Sequence, residues 1–283
     1  MTRTWWILGG GYTGGALARV LAVRPDLAAE ITVTRRDAAA ARVFGDALGV
    51  RGVRAELGDA GTLAIPPGAV VVCTAPPGRD PAGEIAGLVA AAASAARIVY
   101  VSSTGVYGPG HGAWVDERWP IAPITDAGRA RAAAEAALAA ARTPWIALRA
   151  AGIYGPGRGL VDRIRAGTYR VIGDGTGHVA RIHVDDLVTA IVRAGTTAVT
   201  GAVNAADDDP APIGEVADAV AARLGLPPPP RVPAAAVPAE VAGMLTANRR
   251  IANRRLRDEL GVALRYPSWR DALAAELSGA PAP

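Results

Sequence analysis

The sequence predicts an α/β fold, a doubly wound parallel sheet with a small C-terminal region over its ligand cleft. Three observations carry that reading. Short apolar runs alternate with Ala-rich amphipathic stretches over the first two-thirds of the chain. A glycine-rich turn, Gly9-Gly10-Gly11-Tyr12-Thr13-Gly14, follows the first apolar run and opens the first helical stretch. Ala69–Thr74 is a continuous Val-rich run of the kind buried on both faces of a parallel sheet.

Taken in order, Trp5–Leu8 reads as a strand and Gly14–Ala22 as a helix with Leu17, Val20 and Leu21 on one face. Ile31–Thr34 is the second strand, Asp37–Leu48 a helix, and Val53–Leu57 a weaker third strand. After the fourth strand at Ala69–Thr74, Pro81–Ala96 is helical and Ile98–Ser102 extended. Asp126–Arg142 is a long Ala-rich helix, and Trp145–Arg149 a strand that begins just past Pro144. Beyond Ile153, Gly155-Pro156-Gly157 and Gly173-Asp174-Gly175 mark loops. Pro227–Pro230 reads as a stiff polyproline II connector. Asn253–Leu260 is helical, and the residues after Ser278 are expected to fray.

Composition narrows the chemistry. Hydrophobic residues are 51% and charged ones 20%, enough apolar material for a packed core and against wholesale disorder. All 30 basic residues are Arg. The absence of Lys excludes Schiff-base chemistry on the protein and a Walker-type phosphate lysine. A net charge of +4 over 283 residues is a small field, and acids are interleaved with the arginines, so no nucleic-acid partner is expected. Cys73 has no second cysteine to pair with and suits a small core position. The three His and one Cys are scattered, so no metal site is expected. The run Trp5–Leu8 is cut short by Gly9 and is no secretory core, and no stretch approaches the roughly 18 apolar residues of a membrane span. The expectation is a cytoplasmic protein without a membrane partner.

The turn gives G-x-G-x-x-G with Gly9, Gly11 and Gly14, between a strand and a helix as a dinucleotide site requires. Gly9 permits the tight turn, Gly11 the approach of a pyrophosphate, and Gly14 close packing of helix on strand; Tyr12 and Thr13 complete the cradle. The second strand ends not in the carboxylate of an NAD site but in Thr34-Arg35-Arg36. An Arg fork suits a 2′-phosphate, which favours NADP, while Asp37 keeps NAD as the alternative. Thr74, Ala75 and Pro76, at the end of the fourth strand, are expected beside the adenosine half. Residues 1–150 are then a dinucleotide-binding domain of Rossmann type, and 151–283 a substrate-side region that completes the sheet and caps the cleft.

Further stretches carry a family likeness. They are Val101-Ser102-Ser103-Thr104-Gly105-Val106-Tyr107-Gly108, Trp114-Val115-Asp116-Glu117, Leu148-Arg149, Ile153-Tyr154-Gly155-Pro156-Gly157, and Arg181-Ile182-His183-Val184-Asp185-Asp186-Leu187. In these the chain resembles the extended, epimerase/dehydratase-like branch of the short-chain dehydrogenase/reductase superfamily, most closely its atypical, YeeZ-like members. The likeness runs from Gly9 to about Trp269. It implies that Ser103 hydrogen-bonds the substrate carbonyl. It also implies a proton-relaying Tyr at the position of Ala127 and a ribose-binding Lys at that of Arg131, so the usual pair is missing. Arg131 retains the ribose role but cannot shuttle a proton. Tyr107 is the candidate substitute donor, set against a Tyr that merely packs on its loop, with solvent as the other proton source.

The remaining candidates are weighed against structural roles. His183, Asp185 and Asp186 are expected to be architectural, with Asp185 or Asp186 as a helix N-cap. Arg149, Arg158 and Arg181 lie in segments that line the family's substrate cleft. The arginine that usually grips a sugar-nucleotide diphosphate is replaced by Val179, with His178 a weak polar substitute, so a nucleotide-sugar substrate loses support. Asp116 and Glu117 suit a loop cap. Arg249, Arg250, Arg254, Arg255 and Arg257 read as a solvated face offset by Asp258 and Glu259, with Arg250 and Arg254 at helical spacing. The expected function is an NADP-dependent reductase of a small carbonyl or imine substrate; the alternatives are a non-catalytic redox sensor and a sugar-type epimerase or dehydratase. By analogy with the family, a homodimer is expected.

Overall fold

The computed structural model describes residues 2–278, so the fraying expected past Ser278 lies outside the described residues. Seven parallel strands form the main sheet: β1 (Arg3–Leu8), β2 (Ala28–Arg35), β3 (Arg51–Arg54), β4 (Val70–Cys73), β5 (Arg97–Ser103), β6 (Trp145–Ala150) and β7 (Gly201–Ala205). Their order is β7-β6-β5-β4-β1-β2-β3. The third strand lies a few residues earlier than Val53–Leu57. Gly52 allows this: a Cβ there would stand 1.9 Å from the Ala41 carbonyl, because the helix before it packs directly on the strand. Arg51 and Arg54 keep this edge polar.

Strand β1 shows how the sequence builds two layers. Trp5 and Ile7 point to one face, where they meet Leu17, Leu21, Leu187 and Ile191; Trp6 and Leu8 point to the other, among Ile85, Leu88, Tyr100 and Leu138. Helices α1 (Tyr12–Ala22) and α2 (Ala38–Leu48) cover the first face, and α3 (Pro81–Ala91) and α4 (Asp126–Leu138) the second. α3 stops short of Ala96 because its following residues are claimed by β4: Gly68 N–H donates to Ser94 O and Ala96 N–H to Ala69 O. α4 stops at Leu138, and Pro144 then favours extended backbone into β6.

Past residue 150 the chain adds both to the main sheet and to the helices packed on it. After a short helix α5 (Leu160–Arg165), α6 (Val184–Thr196) returns to the first face beside α1, and β7 extends the main sheet. Gly195 lets α6 lie directly on Trp5, whose ring atoms would be 2.5 Å from a Cβ there. A separate cluster joins α5, α7 (Ile213–Arg223) and α10 (Trp269–Leu277) through Ile164, Val216, Val220 and Leu273. The Pro227–Pro230 run lies against Ile164 and Tyr169, tied down where Pro230 O accepts from Val171 N–H. Helix α8 (Ala239–Leu245) is followed by α9 (Arg254–Asp258), a single turn within the expected 253–260. Among the described residues, no helix is long and apolar enough to cross a membrane, and no cluster of His, Cys, Asp and Glu suits a metal ion.

Candidate active site

The strand order reverses between β1 and β4, and a cleft of about 1020 Å³ opens there, at the carboxyl ends of the strands. This is the topological switch point at which open α/β sheets bind ligands. Its floor is the glycine turn, and the turn is held from both sides. Gly9 N–H donates to Thr34 Oγ1 (3.1 Å) and Gly10 N–H to Thr34 O (2.6 Å), tying it to β2. Thr74 Oγ1 donates to Gly9 O at 2.6 Å, tying it to the end of β4. Gly9 adopts φ +101°, which favours glycine. At Gly14 a Cβ would fall 2.1 Å from Gly9 O, so only glycine lets α1 start this close to β1.

Gly11 differs: nothing lies within 4 Å of where its Cβ would stand. The space above it is open cleft. Gly11 is the N-cap of α1 and offers no side chain, whereas Asp37, Asp80 and Thr125 cap α2, α3 and α4. The first-turn N–H groups of α1 are thus left for an anion. Tyr12, Thr13, Ala75 and Pro76 line the same cleft. Tyr12 also bridges to the far wall, donating from its hydroxyl to Pro156 O at 3.2 Å beneath Arg158. Burial pushes its phenol up. These features fit a dinucleotide's linked phosphates.

At the β2 end, Arg35, Arg36 and Asp37 all line the cleft. Arg35 stacks on Phe44 (4.4 Å to the ring centroid), and its Nε is buried without a partner. Asp37 accepts from Ala40 N–H at 2.7 Å as the α2 cap, which occupies one carboxylate oxygen. Cys73 is fully buried, as a core residue, and burial pushes its thiol up to about 12.

At the other end stand Ser103 and Arg131. Ser103 Oγ accepts from Gly105 N–H (3.0 Å) and faces the cleft. Arg131 reaches up from α4, where Nη1 donates to Val101 O (2.6 Å) and to the Tyr100 hydroxyl (3.1 Å). It has no ion-pair partner among the described residues. Ala127 lies in the first turn of α4, and its N–H, like that of Asp126, donates to the Glu240 carboxylate (3.1 and 2.9 Å). Helix α8 therefore covers the α4 N-terminus through Glu240.

Tyr107 does not reach the cleft: of the two readings weighed, donor or Tyr packed on its loop, the packed Tyr is the one seen. It is fully buried, donates to Asn204 Oδ1 (2.7 Å) and accepts from Arg149 Nη1 (2.8 Å). Burial pushes its phenol up to about 12, against the pull of Arg149. Its loop turns inward as a 3₁₀ segment, Thr104–Val106, and Tyr107 joins Val106, Val115 and Ile251 in a local core. Tyr154 is also turned away from solvent, with its hydroxyl buried and unpartnered.

Arg149 likewise leaves the substrate wall. It forms a buried ion pair with Glu135 (Nη2–Oε2 2.7 Å), and Glu135 also accepts from Ser102 Oγ at 2.5 Å. A lone Glu in an Ala-rich helix and a lone Arg inside an apolar strand were the sequence signals for this pair. Arg181 is buried, donating to Val179 O, and does not line the cleft; Arg158 does. The α6 cap is His183, whose Nδ1 accepts from Asp185 N–H (3.2 Å), and not Asp185 or Asp186. Asp186 instead accepts from the Arg265 and Tyr266 amides. Asp116 caps its loop through Arg118 N–H, while Glu117 accepts from Asn204 N–H. Arg254, Arg255 and Arg257 pair with Asp258, Glu259 and Asp208. Arg250 lies in a two-residue strand, outside any helix it would share with Arg254, and Arg249 belongs to the cleft wall.

Comparison with known proteins agrees with this architecture. The family model described as the NAD dependent epimerase/dehydratase family matches residues 5–206, well over half of the chain. A 3-diazoavenalumate denitrifying reductase from a Streptomyces species is 39% identical over 118 residues, a stretch covering 40% of this chain and 39% of that protein. A conserved protein of unknown function from Silicibacter pomeroyi has a solved structure with a TM-score of 0.83 and 31% identity, covering 98% of this chain and 99% of the other. The human epimerase family protein SDR39U1, solved with NADPH, superposes with a TM-score of 0.78 at 21% identity over 98% of this chain and 99% of its own, a likeness of fold. The glycine turn at the sheet's switch point, Ser103 at the end of β5 and the match over residues 5–206 place the chain in the NAD-dependent epimerase/dehydratase family, whose members use a nicotinamide cofactor.

Proposed function

We propose that the chain is an NADP-dependent reductase of a small carbonyl or imine substrate. The observation that carries this reading is the continuous cleft from the glycine turn to Ser103 and Arg131. A nicotinamide cofactor bound along it supplies hydride. The N–H groups at the start of α1 hold its linked phosphates, and Arg35 and Arg36 hold a 2′-phosphate. Arg131, fixed by Val101 O, positions the ribose and places positive charge beside the reacting atoms. Ser103 Oγ, facing the cleft, donates to the substrate's acceptor atom and polarises it. Tyr107 and Tyr154 are withheld by burial, so the proton comes from cleft water. General-acid assistance of roughly 10²–10⁴-fold is forgone, and slow turnover is expected. The likeness to a denitrifying reductase over part of the chain supports a reductive reaction.

One observation favours a second reading. Glu240 caps the α4 N-terminus where the family's Tyr would act, which suits a dinucleotide-binding sensor without turnover. Fluorescence titration of NADPH and NADH, followed by a screen of aldehydes, ketones and imines for loss of the nicotinamide absorbance, separates the two. Oxidation of NADPH by a member of the panel supports the reductase; tight binding with no oxidation by any member supports the sensor.

A further inference from the structure

The charges along the cleft are segregated. The carboxylates that line it, Asp37, Glu56 and Glu84, belong to the β2, β3 and β4 side, where the adenosine half would lie. Beyond Ser103 the wall carries Arg158, His178 and Arg249 but no Asp or Glu.

Arg249 is the enclosed member, half-buried where Arg158 is exposed. Its Nη1 donates only to backbone carbonyls, those of Tyr107 and Gly108, and no carboxylate comes within ion-pair distance among the described residues. Burial without a counter-charge lowers its pKa, yet a guanidinium stays charged. A half-buried cation that no acid among the described residues neutralises is expensive unless a ligand completes it.

The segment carrying Arg249 is also held firmly. Asn248 sits at φ +45°, and its Oδ1 accepts from His178 N–H (2.9 Å), while Gly110 and Gly112 donate to Ala247 O and Asn248 O. Arg249 N–H donates to His178 O at 3.1 Å. Such fixing preorganises a binding group, since no backbone freedom is lost when the ligand arrives. The cleft that it lines also carries the apolar side chains of Ile124, Val179, Met244 and Leu245.

We propose that Arg249 is the anchor for a carboxylate on the substrate, and that the substrate class is therefore an apolar-bodied carboxylic acid. His178 and the 247–249 strap set the anchor's position. The inference rests on the cleft being the substrate site of the reductase proposed above.

The test uses calorimetry on the whole chain, with and without NADP, and a matched pair of probes, cinnamate and its uncharged amide. Cinnamate is expected to bind at least about tenfold more tightly, the scale of a charge-assisted pair. Arg249→Met is expected to abolish that preference, and Arg249→Lys to retain part of it, with NADP binding in both variants within about twofold of the parent on the logic that the dinucleotide binds elsewhere in the cleft. Equal binding of the two probes, a preference that survives in Arg249→Met, or no cinnamate binding in either state overturns the assignment. Cinnamate preference without NADP binding leaves Arg249 as an anion anchor and removes the dinucleotide reading instead, so the two failures are distinguishable. The lysine variant guards against a methionine variant that fails to fold.

Discussion

Replacing Glu135 with Ala strikes the one ion pair among the described residues that is buried on both sides, and the structure sets the size of the effect. Glu135 and Arg149 are 6% and 4% exposed. The carboxylate accepts from Arg149 Nη2 (2.7 Å) and Nε (3.1 Å) and from Ser102 Oγ (2.5 Å). Burial alone lowers the Arg149 pKa, but the hydrogen bonds and charge of Glu135 outweigh it, and the net shift is upward. Without Glu135, Arg149 keeps its charge and loses its counter-ion; Tyr107 and Glu117 O remain as neutral acceptors. Stranding one member of a buried pair costs about 3–5 kcal/mol. Against a total stability of about 5–15 kcal/mol that is a large fraction. At about 2–4 °C per kcal/mol, the midpoint of a circular-dichroism melt should fall by about 6–20 °C. Glu135→Leu combined with Arg149→Met should recover most of the loss, because apolar replacement of a whole buried pair is often close to neutral. A Glu135→Ala melt within about 2 °C of the parent would refute the reasoning, since it would mean the pair is hydrated and its charges screened.

Three further outcomes are expected. Arg36→Glu should weaken NADPH binding by at least about tenfold while leaving NADH nearly unaffected, because only the 2′-phosphate meets the new carboxylate; equal losses for both cofactors would remove the two arginines from that role. Cys73, with its thiol pushed up to about 12 by burial, should not react with a thiol reagent at pH 8 until the chain is unfolded; rapid native-state labelling would contradict the buried position. Burial lowers the His183 pKa below its ordinary value, with the nearby Asp185 charge opposing, so folding favours the neutral ring. Its contribution to stability is complete above about pH 6.5, the unfolded value, and is lost as the pH falls below it. His183→Asn, which keeps an acceptor for the α6 cap, should flatten the decline of melting temperature between pH 7 and pH 5; an unchanged slope assigns the decline to other groups.

The sheet was legible because its signals are local. Trp5–Leu8, Ala69–Thr74 and the glycine turn each carry their own pattern, and the strand-helix alternation fixes how they assemble. The end of β2 was legible to within one residue for the same reason: the strand runs past Thr34 through Arg35, and Arg36 follows it. The far wall was not. Whether Tyr107 points into the cleft or under it depends on Asn204 and Arg149, which lie 97 and 42 residues away in the chain. Arg249 was hidden among four neighbouring arginines; three of them found acids in the structure, and no short-range pattern separates it from those. α8 carries no chemistry of its own in the sequence and matters only because Glu240 reaches Asp126 and Ala127. Contacts of this range are set by the fold, and periodicity does not encode them.

The most direct test of the dinucleotide site is NADPH calorimetry on Gly11→Ala beside the unaltered chain. Gly11 has extended backbone (φ −79°, ψ −150°) and open space where a Cβ would stand, so the substitution should leave folding untouched. The added methyl occupies the ground on which the pyrophosphate would rest. The expected result is NADPH binding by the parent, a loss of at least about tenfold in Gly11→Ala, and melting temperatures within about 2 °C of each other before ligand is added. No heat with the parent, or equal affinity in the two proteins, would contradict the account.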